Sequence, residues 1–178
     1  MTDHLPDPDR VSRARAFAIA AHADQRYGEH PYAHHLDAVA HLLEPYGADA
    51  QVIGYLHDVV EDTRVPLDRI RAEFGDIVAD CVALVTDAPG PNRAARKALT
   101  NAKLSKIDPT GPTRLALIVK AADRLANLRE SAKGSAGSKF DMYRREHPAF
   151  REAAFRAGLC DGLWEEIEQF WNGPFGEY

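Results

Sequence analysis

At 178 residues, 45% hydrophobic and 28% charged with a formal net charge of −5, the chain has the composition of a globule that can build its own core. Its apolar residues are spread out rather than massed, with a mean hydropathy of −0.39, which speaks against a helical membrane span; a pI near 5.9 speaks against a nucleic-acid backbone as the main partner. An anionic small molecule stays compatible, because a local cluster of cations or a metal ion is enough to hold one.

A single domain over residues 1–178 is expected. The first ten residues, MTDHLPDPDR, carry acids and prolines where a secretory signal would carry a basic start and an apolar run, so the expected compartment is the cytoplasm. Cys81 and Cys160 lie far apart among apolar or small residues and read as core packing rather than a disulfide or zinc ligands.

From Asp9 to about Gln25, Val11, Ala14, Phe17, Ala18 and Ala21 form one helical stripe, ended by Gly28 and Pro31. A second helix is predicted from about His34 to Leu43, where Leu36, Val39, Ala40 and Leu43 repeat at three and four before Pro45 and Gly47. A third starts near Ala48 and carries Val52, Ile53, Leu56 and Val60. Pro66 suits the first turn of a short helix through Phe74, and Asp76 is the expected cap of the next, with Ile77, Val78, Cys81, Leu84 and Val85 on its apolar face. After a loop from Asp87 to Asn92, a helix carries Arg93, Arg96 and Lys97, and an apolar helix runs from Thr113 to about Arg129. The stretch KGSAGSK, 133–139, reads as a flexible loop, and Phe150 to Trp171 reads as helices packed back on the body, with Trp164 and Trp171 in the core or at an oligomer contact. No strand is expected, so the fold class is all-α.

The chemistry concentrates in LHDVVEDT, Leu56 to Thr63. On a continuous helix Glu61 follows His57 and Asp58 by four and three residues, so one imidazole and several carboxylates, Asp62 included, gather at one end. Acids so close repel unless a cation neutralises them, and a divalent metal does so with neutral imidazole and ionised carboxylate as ligands. His35, at the start of the preceding helix, and Asp123, on a largely apolar helix, are further candidates; Asp123 reads alternatively as the partner of an arginine such as Arg124. For His22, His34, His41 and His147, surface or packing roles are expected.

In combination these residues resemble the HD-domain metallophosphohydrolases, and within them the hydrolase domain of the RelA/SpoT family and the small alarmone hydrolases. The matching blocks are Pro31-Tyr32-Ala33-His34-His35, His57 to Thr63, the Phe74-Gly75-Asp76 to Val85-Thr86-Asp87 stretch and Val119 to Arg129, all within about residues 20–130. The resemblance implies an all-α HD-domain helical bundle with a metal site in its core, formed by His35, His57, Asp58 and Asp123. It implies Mn²⁺ as the metal, although a mixed nitrogen and oxygen site also accepts other divalent transition metals. Glu61 and Asp62 fall on the family's acidic pair that orients and deprotonates the attacking water.

Arg26 and Asn127 match positions that contact the nucleotide; the residues themselves also read as a helix-end dipole partner and a surface amide. Arg96 and Lys97 either bring positive charge to a pocket mouth or form a solvated helix face. The activity so implied is hydrolysis of the 3′-pyrophosphate of guanosine 3′,5′-bis(diphosphate) or its pentaphosphate, giving GDP or GTP and pyrophosphate. The family's arginine is followed by a Lys and a small hydroxyl residue, whereas Arg26 is followed by Tyr27, Gly28 and Glu29. That difference keeps open another nucleotide substrate, such as an adenosine alarmone, NADPH or a nucleoside phosphate, and a non-catalytic nucleotide sensor is the reading from another class. A small-molecule nucleotide is thus the expected partner, with neither nucleic acid nor membrane, and homo-oligomerisation is left open.

Overall fold

The computed structural model describes residues 9–133 and 137–172. The chain divides into two compact units, Met1–Thr86 and Asp87–Tyr178. Among the described residues nearly all regular structure is helical.

In the first unit, α1 (Asp9–His22), α2 (Ala33–Leu42), α3 (Ala48–Leu56), the single turn α4 (Val59–Asp62), α5 (Leu67–Phe74) and α6 (Asp76–Val85) follow one another. Helix α3 is the hub. Residues 52–56 are all buried, and α1, α2 and α6 pack around it, so its pattern is apolar all round rather than on one stripe. Ala14 and Ala18 of α1 and Leu36, Val39 and Ala40 of α2 complete this core, as their spacing predicts. Arg15 ties three helices: its guanidinium bonds both oxygens of Asp37 at 2.7 and 2.8 Å, and the Tyr55 hydroxyl donates to the same carboxylate at 3.1 Å.

Three expectations change here. A short antiparallel hairpin follows α1, β1 (Arg26–Tyr27) pairing with β2 (His30–Pro31) across a two-residue loop opened by Gly28 at φ +60°. Two residues per strand are too few for an alternating pattern to show in sequence. The predicted cap Asp76 is instead the first residue inside α6, because Gly75 ends α5 with its N–H on the Arg71 carbonyl and immediately opens α6. The helix over Ala48–Val60 is interrupted at His57 and Asp58, which separate α3 from α4.

The second unit contains α7 (Arg93–Leu104), α8 (Leu115–Lys133), α9 (Gly137–Ala154) and α10 (Asp161–Asn172). Asn92 caps α7 by accepting from the Ala95 N–H at 2.9 Å. Helices α9 and α10 pack on α8, whose Leu117, Val119, Leu125 and Leu128 are fully buried. Trp164 is buried against Phe150 and Phe155, which makes it a core residue, and Trp171 packs on Phe140 and His147. Of the predicted loop 133–139, residues 134–136 lie outside the described residues, while Lys133 ends α8 and 137–139 open α9. Both cysteines are buried and neither forms a disulfide among the described residues, as their apolar surroundings predict, and burial pushes the Cys160 thiol up to about 11.

Helices α2 and α3 meet at Gly54, where an added Cβ would lie 2.4 Å from Leu43 Cδ1 and 3.6 Å from Val39 Cγ1. Gly54→Val should overfill this contact and lower stability by about 1–3 kcal/mol. Urea unfolding midpoints measure this; an unchanged midpoint would mean that Leu43 swings aside at no cost.

Candidate metal centre

The interruption after α3 builds the site. His57 closes α3 and Asp58 opens α4, so adjacent residues leave the helix with His57 buried and Asp58 half-buried. The Gly54 carbonyl lies 2.7 Å from His57 Nδ1 and accepts its proton, which leaves the lone pair on Nε2. That Nε2 faces Asp58 Oδ2 at 3.0 Å. His35, in the first turn of α2 and 2% exposed, places its own Nε2 3.8 Å from the same oxygen, and one donor atom from each of the three residues lies within 4.8 Å of the others.

Around this cluster lies a shell that sequence reasoning assigned no part. The Tyr32 hydroxyl donates to Asp58 Oδ2 at 2.6 Å and sits 3.2 Å from Asp62 Oδ2. His22 stacks on the Tyr32 ring at 4.2 Å, and Tyr27 of the hairpin stacks on His35 at 4.6 Å. Gln25 accepts from His22 Nδ1 at 2.8 Å and donates to the Asp62 carbonyl at 2.7 Å, linking the end of α1 to the end of α4. His22 falls in the packing class expected of it, but the packing is against the site. Its spacing of four from the buried Ala18 was the available signal.

Partial burial, then the negative charge of Asp58, pushes the Asp62 carboxyl up from its ordinary value, against the opposing bond from Tyr32. Glu61 is exposed on α4. Arg26 is exposed too, and its guanidinium bonds the Glu29 carbonyl across the hairpin turn.

The other candidates belong to the second unit. Asp123 on α8 accepts from Asn127 Nδ2 at 2.6 Å and from Lys120 Nζ at 3.1 Å. Its helical neighbours hold it, while Arg124, the arginine considered for it, is buried and turned to Glu146. Lys97 pairs with Asp87 at 2.8 Å, and half-buried Arg96 lies beside Gly90.

The donor set fits a divalent ion. Two imidazole nitrogens and a carboxylate are the ligands a transition metal takes. With the imidazole neutral, its Nε2 lone pair and a carboxylate oxygen 3.0 Å apart repel each other until a cation binds both. Tyr32 adds the kind of outer hydrogen bond that orients a ligating carboxylate.

A protein-family model described as HD domain matches residues 14–158. The chain is 35% identical over 169 residues, 87% of its length, to a probable guanosine-3′,5′-bis(diphosphate) 3′-pyrophosphohydrolase of Synechocystis. It covers 21% of that protein and similarly small shares of the other long relatives it matches, so it spans about a fifth of their length. A guanosine-3′,5′-bis(diphosphate) 3′-pyrophosphohydrolase of Xenopus tropicalis is 33% identical over 131 residues, 70% of each chain. Among solved structures, a metazoan ortholog of SpoT described as hydrolysing ppGpp superposes with a TM-score of 0.80 over 94% of this chain and 96% of its own, at 23% identity. The Listeria monocytogenes protein lmo0812 superposes with a TM-score of 0.61 over 77% of this chain and 95% of its own, at 26% identity.

The almost wholly helical fold and its His-Asp cluster are those of an HD domain, and the chain belongs to the HD-domain family. Within that family its relatives include the proteins of the SpoT/RelA type.

Metal-free protein titrated with a divalent transition metal should bind it in the wild type and lose binding in Asp58→Ala. Tyr32→Phe should weaken it about 10–100-fold. Equal affinity in all three proteins, measured by calorimetry and metal analysis, would remove the site from this cluster.

A second prediction concerns Asp87. Burial alone would raise its carboxyl, but the Lys97 bond and charge, the Thr100 hydroxyl at 2.8 Å and the charge of Lys120 outweigh burial and hold it below its ordinary value. The unfolded carboxyl titrates near about 4. The stabilisation is therefore complete above that pH and is lost as pH falls through the depressed native value. Asp87→Asn should lower the urea midpoint at pH 7 and by clearly less at pH 3; an equal loss at both would refute this assignment.

Proposed function

We propose that this chain is a metal-dependent nucleotide phosphohydrolase that removes the 3′-pyrophosphate of guanosine 3′,5′-bis(diphosphate) or its pentaphosphate, releasing GDP or GTP and pyrophosphate. The observation that carries this reading is the likeness to the Xenopus tropicalis pyrophosphohydrolase over 70% of both chains. The family match runs through residues 14–158 and so favours reading both units as one HD-type domain. No helix among the described residues is long and apolar enough to cross a membrane, and the cytoplasm is the compartment proposed.

His35, His57 and Asp58 would hold the ion, and the resemblance adds Asp123 to that set. Mn²⁺ is the metal proposed. When bound, such an ion supplies Lewis acidity, offsetting phosphate charge and lowering the pKa of water. The remaining work belongs to side chains. Tyr32 fixes the Asp58 carboxylate by its 2.6 Å bond. Asp62 and Glu61 orient the attacking water and take its proton. The water oxygen forms the new bond to phosphorus, the bond from phosphorus to the ribose 3′-oxygen breaks, and that oxygen leaves with the proton that the carboxylate took from the water. Arg26, Asn127, Arg96 and Lys97 are proposed to hold the nucleotide, which a polyanion needs.

A second substrate reading is favoured by the hairpin. Tyr27 lies flat on His35 and Arg26 is engaged with the Glu29 carbonyl, so this edge of the site differs from the Lys and hydroxyl arrangement that the resemblance calls for. An adenosine alarmone, NADPH or a nucleoside phosphate would keep the chemistry and change the base.

Metal-free protein reconstituted with Mn²⁺ should release pyrophosphate from the guanosine alarmones, and Glu61→Gln should slow turnover about 100-fold or more while keeping the fold. Release from a different nucleotide in the panel would move the substrate. Metal binding without turnover of any member would leave the sensor reading.

A further inference from the structure

Helices α7, α8 and α9 line an open cavity of about 380 Å³, built wholly from the second unit. Its feature is a concentration of guanidinium groups in a lining whose single carboxylate, among the described residues, is that of Glu146. Arg124 is 8% exposed, lies between the rings of Tyr143 and Phe150 at 4.7 and 4.5 Å, and opens on the cavity. Its fork carries five N–H donors. Two of them make hydrogen bonds, both long: 3.4 Å to the Tyr143 carbonyl and 3.3 Å to Glu146 Oε2.

Glu146 gives its shorter bond elsewhere, since Arg93 Nε reaches Oε1 at 2.7 Å. One carboxylate therefore serves two guanidiniums. Arg145 brings a third to the lining and forms no ion pair with any described residue. Lys97 also lines the cavity, but Asp87 neutralises it. A buried guanidinium is costly unless its charge is compensated and its donors are satisfied. The aromatic rings attract the cation but offer no acceptor oxygen.

Apart from Asn101, the rest of the wall is apolar, formed by Ala98, Met142, Ala149 and Phe150 among others. The complementary ligand has phosphate oxygens at one end, which a guanidinium fork binds in pairs, and a flat apolar body at the other. A volume near the lower bound of about 300 Å³ for small-molecule sites limits it to a compact molecule. We infer that this cavity binds a small organic phosphate, a nucleoside mono- or diphosphate in chemical class, with its phosphates on Arg93, Arg124 and Arg145. The site needs neither the metal nor turnover, so it goes beyond the proposed reaction.

The test uses full-length protein stripped of metal, so that hydrolysis and metal-bridged binding play no part. Calorimetric titrations with GDP, inorganic pyrophosphate and guanosine are compared, and the Arg93 and Arg124 Nε–H resonances are followed by NMR. GDP should bind and shift both resonances, pyrophosphate should bind more weakly, and guanosine should not bind. Arg145→Gln, an exposed substitution, should weaken GDP about tenfold, the loss of one charged hydrogen bond, and Arg93→Gln should weaken it at least as much. Raising the salt concentration should weaken GDP further. Absence of GDP binding, or GDP affinity unchanged by both substitutions, would overturn the assignment. Pyrophosphate binding as tightly as GDP would overturn the organic part. None of these results bears on whether the metal-loaded protein hydrolyses an alarmone.

Discussion

Two hydrogen-bond acceptors face each other at the centre of the first unit. His57 donates its Nδ1–H in a hydrogen bond to the Gly54 carbonyl, so in the neutral ring the Nε2 lone pair is aimed at an Asp58 oxygen 3.0 Å away. Such a pair, with one member almost wholly buried, is held only where a positive charge is expected between the two. Other features of the unit maintain it. The helix stops at Leu56 so that consecutive residues can both reach the same point, His35 approaches from the start of α2, and the Tyr32 hydroxyl pins the carboxylate from the other side.

Much of this was legible as residue types but less of it as geometry. The apolar spacing of α1 and α2 marks their buried faces, that of α6 does so at Val78, Cys81 and Val85 but not at the exposed Ile77, and adjacent His57 and Asp58 with nearby acids mark the chemistry. The break between them left no trace, because Leu56, His57, Asp58, Val59 and Val60 contain no proline or glycine to announce one; packing against neighbouring helices decided it. The hairpin escaped because two-residue strands fall below any periodicity. Tyr32 and His22 are separated by ten residues and come together only when the chain turns back through Gly28.

Charge pairing in the second unit shows the same limit. The cation that meets Asp123 is Lys120, three residues away on the same helix, which a helical reading can find. Arg124, its immediate neighbour, instead joins Glu146 on α9, a partner twenty-two residues along that no local rule names. Lys97 appears in sequence as a solvated base, yet it neutralises an almost fully buried Asp87. Positive residues that look equivalent along α7 are therefore compensated to different degrees by the protein's own acids.

Gly54 has two roles that cannot be separated. Its missing side chain sets how closely α2 and α3 approach, and its carbonyl orients the imidazole that would hold the ion. Ion binding and tightness of the helix pair are therefore thermodynamically linked: whatever stiffens one strengthens the other. A core substitution remote from any ligand can change metal occupancy by way of this residue. Loading the ion would in turn slow the breathing of a helix interface that the ion never touches.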